Sequence, residues 1–593
     1  MNKAQSYRQG LQGLASPQSL DRAADAVDSP LAPLPDNPAV LACRDEAGSL
    51  LPLHSVRDPR REAEAQAQSV LADLSLEQPL FVLAVGIASG HHLASLVRRL
   101  PAGSTLVAVD GDAATLLYLD AAALRQPGIA VRLIAGADLD AVTIEYKECL
   151  RRVGRVPDAV FLHPASRRLC PGFDSWVERL RMETRTDAMD QITVASFAEE
   201  WIQNGILNLR QICSNPGIPA LQKIFPGRPA FVLCAGPSLQ ESLPFIAALQ
   251  DRVLIIAVGT ALAPALRAGI RPHLTIAVDS DPKVYLQFQR ALPDLPGYLV
   301  ASQALFPPIL DLYPDRLFTF GSGSLPEFGA WLNRRGHDCG GLNTGGTVSL
   351  SALDLAYWMG CGQVAVFGLD LAFAEDGTTH AAGSMYDRQR LSRGLIRVPG
   401  NWEAEVPTTR QFATYIQMLE NYLHRMSEYA ALTTSVSSGG ARIRGLKVQR
   451  PAEFFAAFQA EPFAVAAELQ AARDRAVLPP PEAFAAALSQ VLAELDQLAI
   501  LADKIEPRLG RFPASDFPAL RRLEKKLQKS EVAEAFLSPV LQRLILGIEH
   551  LPKDELTTRF HQAARSAIHW IRQLLGPVSG FFTPQEDSSC SRK

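Results

Sequence analysis

The sequence of 593 residues is poor in the features that send a chain out of the cytosol. Its opening, MNKAQSYRQGLQGL, has no apolar stretch of the kind that starts a secretory signal, so none is expected. No run approaches about 18 uninterrupted apolar residues, and no membrane span is expected either. Cysteine is sparse, with 8 residues (43, 149, 170, 213, 234, 339, 361 and 590) and no CxxC pair. That scatter argues against a disulfide frame or a cysteine zinc site and predicts reduced, structural thiols. Charge of one sign is lacking too. The net charge is −4, whereas a generic nucleic-acid binder needs a basic face to meet phosphates. A cytoplasmic location is the expectation.

What the chain does have is apolar material, 47% of its residues, spread over too great a length for one core. Residues 1–75 read as a loosely held leader ending in SPLAPLPDNP, then a hairpin (Ala39–Cys43 with Ser49–Leu53) and a helix from Asp58-Pro59 to about Leu74. Residues 76–195 carry a first βαβ pattern, LFVLAVGIASGHHLASLV followed by the strand Thr105–Val109 and Asp110. The strands Ala130–Ile134 and Ala159–Leu162 would extend it. A helical segment, SFAEEWIQNGILNLRQI, bridges to residues 196–450, where a second βαβ series begins with AFVLCAGPSLQESLPFIAALQ. Residues 451–593 are all helical: Phe484, Leu488, Val491, Leu495, Leu498, Ala502 and Ile505 form one apolar stripe. The fold class is therefore α/β, two Rossmann-like doubly wound domains followed by an all-α C-terminal domain. The helical stripes pack antiparallel or, if exposed, support self-association. The stretch after Phe582 is expected to fray.

Four patterns in the second series can carry chemistry. Gly236-Pro237-Ser238-Leu239 follows an apolar strand; glycine admits close approach and Ser238 can cap the next helix, whose free N–H groups favour a phosphate. An ordinary strand–helix turn would look the same. Asn343-Thr344-Gly345-Gly346-Thr347 repeats that anion-binding layout ahead of the helix VSLSALDLAYWMG. Asp370 lies just past the strand Val364–Phe367, and His380 follows in a loop of small residues, where an imidazole can take a proton at neutral pH. A loop histidine without chemistry would also sit there. Asp279-Ser280-Asp281 ends the strand Leu274–Val278; an acid-x-acid can hold a divalent metal on a diphosphate, or simply pair with a helix start. His91-His92, after Gly90, would need further metal ligands that the sequence does not identify.

The runs FVLCAGPSLQESLPFI, LRAGIRPHLTIAVDSD, NTGGTVSLSALDLAYWMGCGQVAVFGLDLAF and THAAGSMY, in that order, resemble the Maf motility-accessory glycosyltransferases. FAEEWIQNGILNL looks like that family's lead-in, and VSSGGARIRG like its closing strand-turn. The layout is also similar to bacterial sialyltransferases that use CMP-activated sugars. The resemblance implies inverting transfer of a pseudaminic- or legionaminic-type nonulosonic acid from a CMP-sugar to flagellin serine or threonine hydroxyls. No cofactor and no divalent metal are expected, because a monophosphate leaving group can be held by the helix starts at Gly236–Ser238 and Asn343–Thr347. His380 is then the expected general base, with Asp370 or Asp279 orienting the sugar or the imidazole. The GPSL-type core also fits a hydroxymethylpterin pyrophosphokinase, with Mg²⁺ on Asp279, Asp281 and Asp370. The helical end suits a non-catalytic flagellin-binding chaperone.

Overall fold

The computed structural model describes residues 11–26, 29–45, 47–170, 172–374, 376–387, 389, 394–508, 518–541 and 553–582. The chain divides into two compact units, Met1–Thr193 and Val194–Lys593, the division falling inside the helix Phe173–Leu207.

In the first unit, β1 (Leu31–Leu34), β2 (Asn37–Arg44) and β3 (Leu50–Pro52) make an antiparallel sheet. The hairpin β2–β3 is the expected one. The described part of the leader, by contrast, is not loosely held. Helix Pro17–Asp25 is capped by the Ser16 hydroxyl, and Ser19 and Arg22 reach Glu145. Leu31–Leu34, read as loop because of its prolines, is an edge strand, the one place a sheet tolerates Pro33. Residues 1–10 lie outside the described residues. The helix Pro59–Leu71 starts as expected, with Asp58 accepting from the Arg61 N–H at 2.9 Å. A parallel sheet follows from β4 (Phe81–Val85), β5 (Thr105–Asp110), β6 (Ala130–Ala135) and β7 (Ala159–Leu162), in the order β6-β5-β4-β7.

The second unit is built on eight parallel strands: β8 (Pro229–Leu233), β9 (Leu254–Val258), β10 (Leu274–Ala277), β11 (Tyr298–Ser302), β12 (Leu317–Phe320), β13 (Gln363–Phe367), β16 (Thr433–Val436) and β17 (Lys447–Gln449). A separate hairpin, β14 (Ile396–Pro399) with β15 (Glu405–Thr408), is antiparallel. Every residue of β9, β10, β11 and β12 is buried, which is why these strands are continuous apolar runs without alternation. The sheet order is β12-β11-β10-β9-β8-β13-β16-β17. From β8 the chain winds outward to β12, then returns to β13 on the other flank of β8. Strand order therefore reverses between β8 and β13, where α/β sheets open a crevice at their carboxyl ends.

The sheet's core extends beyond residue 450. Phe454, Phe455 and Phe458 pack on Phe231 and Phe367, with 5.0 Å between the rings of Phe231 and Phe458. Val465, Leu469 and Ala472 join the same core. Helices Pro451–Ala457 and Val465–Arg475 thus belong with the sheet, not with the helical end, because one face of a parallel sheet must be covered along its whole width.

The helical end proper starts at Pro481. Helix Pro481–Ile505 buries the seven stripe residues read from the sequence, against Leu520, Leu523, Phe536, Ala564, Ile568, Ile571 and Leu575. By length and hydropathy this helix could cross a membrane. Its polar flank is engaged: Ser530 donates to Glu494 at 2.5 Å, and Arg565 and His569 meet Asp503 at 2.6 and 3.0 Å. The residues after Phe582, expected to fray, lie outside the described ones. Leu495 is fully buried in this stripe and Ile500 is 56% exposed. Leu495→Ala should therefore lower unfolding free energy by about 2–5 kcal/mol, and Ile500→Ala by less than about 0.5 kcal/mol, in denaturant titrations of the full chain. Equal effects would refute the packing.

Candidate functional site

The strongest sequence pattern lies at the reversal point. Strand β8 runs into Cys234-Ala235-Gly236-Pro237-Ser238, and β13 into Gly368-Leu369-Asp370. The two turns interlock. Gly236 donates its N–H to Gly368 O at 2.7 Å, and Asp370 accepts the Ser238 N–H at 2.8 Å and its hydroxyl at 2.5 Å. A third segment joins from the end of β16, where the single Ser437 hydroxyl proton is shared between Asp370 at 3.1 Å and Gly439 O at 2.7 Å. Ala441 donates its N–H to the Asp370 carbonyl at 2.7 Å. Asp370 is 4% exposed, and burial holds its carboxyl above the usual range despite these donors. Gly236 is required sterically, since a Cβ there would lie 2.5 Å from an Asp370 oxygen and from the Gly368 carbonyl. Leu371 sits at φ 43°, a costly conformation for leucine, with its carbonyl held by the Thr408 hydroxyl at 2.7 Å.

This arrangement corrects two expectations. Ser238 does not cap the helix Leu239–Ala248; its hydroxyl is spent on Asp370. The N–H groups of Gly236, Ser238, Leu239 and Gln240 all have partners within the protein, so the anion position at this helix start is filled by the protein's own carboxylate. Nor does Asp370 orient His380, because its oxygens face the two serines.

The second turn is different. Asn343 is fixed by its backbone and side-chain N–H groups donating to Asp354 at 2.8 and 3.0 Å, and Thr347 caps Val348–Trp358 by accepting from the Ser349 N–H at 3.4 Å. Between them, Gly345 and Gly346 are exposed, and among the described residues nothing accepts from the N–H groups of Gly345, Gly346 or Thr347. The helix that follows comes close to the end of β8 at Ser349, whose hydroxyl acts on the Cys234 thiol. Burial pushes that thiol up to about 12, so it stays protonated.

His380 lines a cleft of about 470 Å³ together with Pro237, Asp376, Thr378 and Ala381. The loop is pinned to the sheet by Ala381 N–H donating to Ala235 O at 2.8 Å. His380 Nδ1 lies 2.7 Å from the Thr379 hydroxyl, and Tyr386 stands beside the imidazole at 4.9 Å between ring centroids. Burial pulls the imidazole down to about 4, so it is neutral and basic-form at pH 7. Asp279 carries a raised carboxyl, first because surrounding protein displaces water and then because Asp281 repels it, although its side chain still reaches solvent. Its charge is felt by Tyr386 and by Tyr415. Tyr415 in turn lies against Gly346, where a Cβ would be 3.3 Å from its ring. Ser437, Tyr386 and Tyr415 escaped the sequence reading; VSSGG after an apolar strand was the one visible signal, a third strand-end hydroxyl–glycine turn.

Three comparisons bear on this geometry. A family model described as "6-hydroxymethylpterin diphosphokinase MptE-like" matches residues 203–376. An uncharacterized protein of Treponema pallidum (strain Nichols) is 24% identical over 352 residues, which cover 57% of this chain and 59% of that protein. The chain thus matches little more than half the length of that curated relative. The solved MAf glycosyltransferase from Magnetospirillum magneticum AMB-1 superposes with a TM-score of 0.58, covering 98% of this chain and 96% of that one, at 16% identity. The two chains share a fold. The MAf structure thus accounts for the mixed α/β plan with its parallel sheets and helical end, while the family model falls on the part of the second unit that holds Gly236, Asp279 and the Asn343–Thr347 turn.

Asp370→Asn replaces an acceptor by a donor facing the Ser238 N–H, leaving buried donors unmatched. It should destabilise the second unit by about 1–3 kcal/mol, read as an earlier denaturation midpoint, whereas the exposed neighbour variant Asp376→Asn should be near neutral. An unchanged midpoint for Asp370→Asn would show that the carboxylate does not hold the three turns.

Proposed function

We propose that this protein is a glycosyltransferase that moves a nonulosonic acid of the pseudaminic or legionaminic type from a CMP-activated donor to serine or threonine hydroxyls of flagellin, in the cytoplasm. One observation carries the reading: the helix start at Gly345–Thr347 keeps open amides, and a neutral imidazole, His380, lines the cleft beside Pro237 at the end of β8. The MAf glycosyltransferase with the same fold supports the reaction class.

The donor's phosphate would rest on the N–H groups of Gly345, Gly346 and Thr347, where the positive end of Val348–Trp358 stabilises the charge left on the leaving group. His380 would take the proton of the acceptor hydroxyl as the sugar–phosphate bond breaks. A base held near 4 is always available at pH 7 but pulls weakly; the donor's own carboxylate would raise it on binding, since a nearby anion favours imidazolium. Asp279 would face the developing positive charge on the sugar. Asp370, Gly236 and Ser238 would act by shaping the crevice.

The family model favours a second reading, a diphosphokinase for a hydroxymethylpterin, which would place Mg²⁺ on Asp279 and Asp281. The two separate in one assay. The transferase reading expects mass gain on flagellin with CMP-sugar and EDTA; the kinase reading expects Mg²⁺-dependent ATP consumption with a pterin. His380→Ala should reduce transfer by about 10²–10⁴-fold with CMP affinity kept, and turnover at the wild-type rate would remove His380 from the mechanism.

The pH profile follows from the depressed imidazole. Protonation abolishes the base, so in kcat/KM the acid limb should fall near pH 4 rather than near the usual 6.5, while the limb in kcat should lie higher. A kcat/KM limb centred near 6.5 would contradict the burial of His380.

A further inference from the structure

In the first unit the strand order β6-β5-β4-β7 reverses between β4 and β7. His92 opens the helix after β4, His163 is the residue following β7, and His54 comes two residues after β3. Far apart in sequence, the three meet in space. They are 4%, 0% and 0% exposed for His54, His92 and His163, and one ligating nitrogen from each lies within 4.8 Å of the other two. The rings of His92 and His163 are stacked at 4.7 Å, and His54 is 4.7 Å from His163 and 5.4 Å from His92.

One nitrogen of each ring already faces a group that can orient it. His92 Nε2 donates to Gly86 O at 3.0 Å, and His54 Nδ1 is 3.5 Å from a Glu62 carboxylate oxygen. His163 Nδ1 faces the Ser166 hydroxyl at 2.8 Å and the Ser166 N–H at 3.2 Å, and ligation through Nε2 uses the tautomer in which Nδ1–H donates to that hydroxyl. Among the described residues, His54 Nε2, His92 Nδ1 and His163 Nε2 are buried without a hydrogen-bond partner, and so is His54 Nδ1 at its 3.5 Å from Glu62. Buried polar atoms are normally paired, so unpartnered nitrogens on three clustered rings call for an ion or molecule that accepts their lone pairs. A carbonyl, a hydroxyl and a carboxylate behind the three rings is the outer shell that metal-binding imidazoles use. A cavity of about 270 Å³ adjoins the cluster, its lining including Leu53, Gly86 and Ser166, each next to one of the three histidines.

We infer that His54, His92 and His163 form a binding site for a divalent transition-metal ion of the zinc class. The ligands are His54 Nε2, His92 Nδ1 and His163 Nε2, with a fourth position for water. Imidazole nitrogens select such ions over Mg²⁺ or Ca²⁺. Zinc–nitrogen bonds of about 2.0–2.1 Å require the rings to draw together by roughly an ångström, which side-chain rotation supplies.

The test uses the tag-free full-length chain, stripped with a chelator and titrated with Zn²⁺, Co²⁺ and Mg²⁺. The site predicts one Zn²⁺ per chain, intense visible bands of tetrahedral cobalt, a higher Tm with Zn²⁺ and no response to Mg²⁺. His92→Ala and His163→Ala should lose affinity by on the order of 100-fold or more, with the exposed His424→Ala unchanged. A wild-type chain that takes up no stoichiometric zinc, or histidine variants that titrate like wild type, would overturn the site. Should those variants fail to fold, Ser166→Ala decides: removing only the hydroxyl behind His163 should weaken binding by roughly 10–100-fold, and an unchanged titration refutes the assignment.

Discussion

A carboxylate taken out of water must be met by donors, and Asp370 joins three separated stretches of chain, its own and two that face it. The Ser238 amide and hydroxyl come from the end of β8, the Ser437 hydroxyl from the end of β16, and Asp370 itself from the end of β13. These three strands are neighbours around the reversal of the sheet, so one side chain ties together the loops that border the crevice. The glycines there are consequences of the same bond. Gly236 has to lie against the Asp370 carboxylate, and Gly440, at φ 83°, has to let Ala441 reach the Asp370 carbonyl. The strained Leu371 is the residue next in line, held where it is by Thr408. Removing the carboxylate would loosen each of these turns together.

The two glycine turns that look alike in sequence have opposite electrostatic fates. At Gly236–Ser238 the protein supplies its own anion, so that helix start is neutralised from within. At Gly345–Thr347 the carboxylate that fixes the turn, Asp354, holds Asn343 and Tyr422 and leaves the amides open. Pattern alone cannot distinguish these cases, because the deciding partner of Ser238 lies 132 residues away in the chain. What sequence does show is the alternation of apolar strand, glycine turn and helix, since that depends on neighbours within a few residues.

The same contrast runs through the rest of the reading. The strand ends at Val85, Leu233 and Phe367 are legible because full burial makes each strand an unbroken apolar run, and the stripe from Phe484 to Ile505 because one-sided burial gives a helix its period. Leu31–Leu34 was not, because its proline masks a strand whose edge position excuses it. Phe454, Phe455 and Phe458 were read with the helical end, although they belong to the sheet's core, since an amphipathic helix does not announce which surface it covers. The histidine trio was half visible, as His91-His92; the other two rings arrive through the topology of the first sheet.

Much of the apolar face of helix Pro481–Ile505 is covered by Phe560, Ala564, Ile568, Ile571 and Leu575 of helix Lys553–Ser579. Cutting the chain ahead of Lys553 would strip that cover and leave a greasy rod of bilayer length at the surface. Premature chain termination there would convert a covered face into one that seeks lipid or clumps with its own kind.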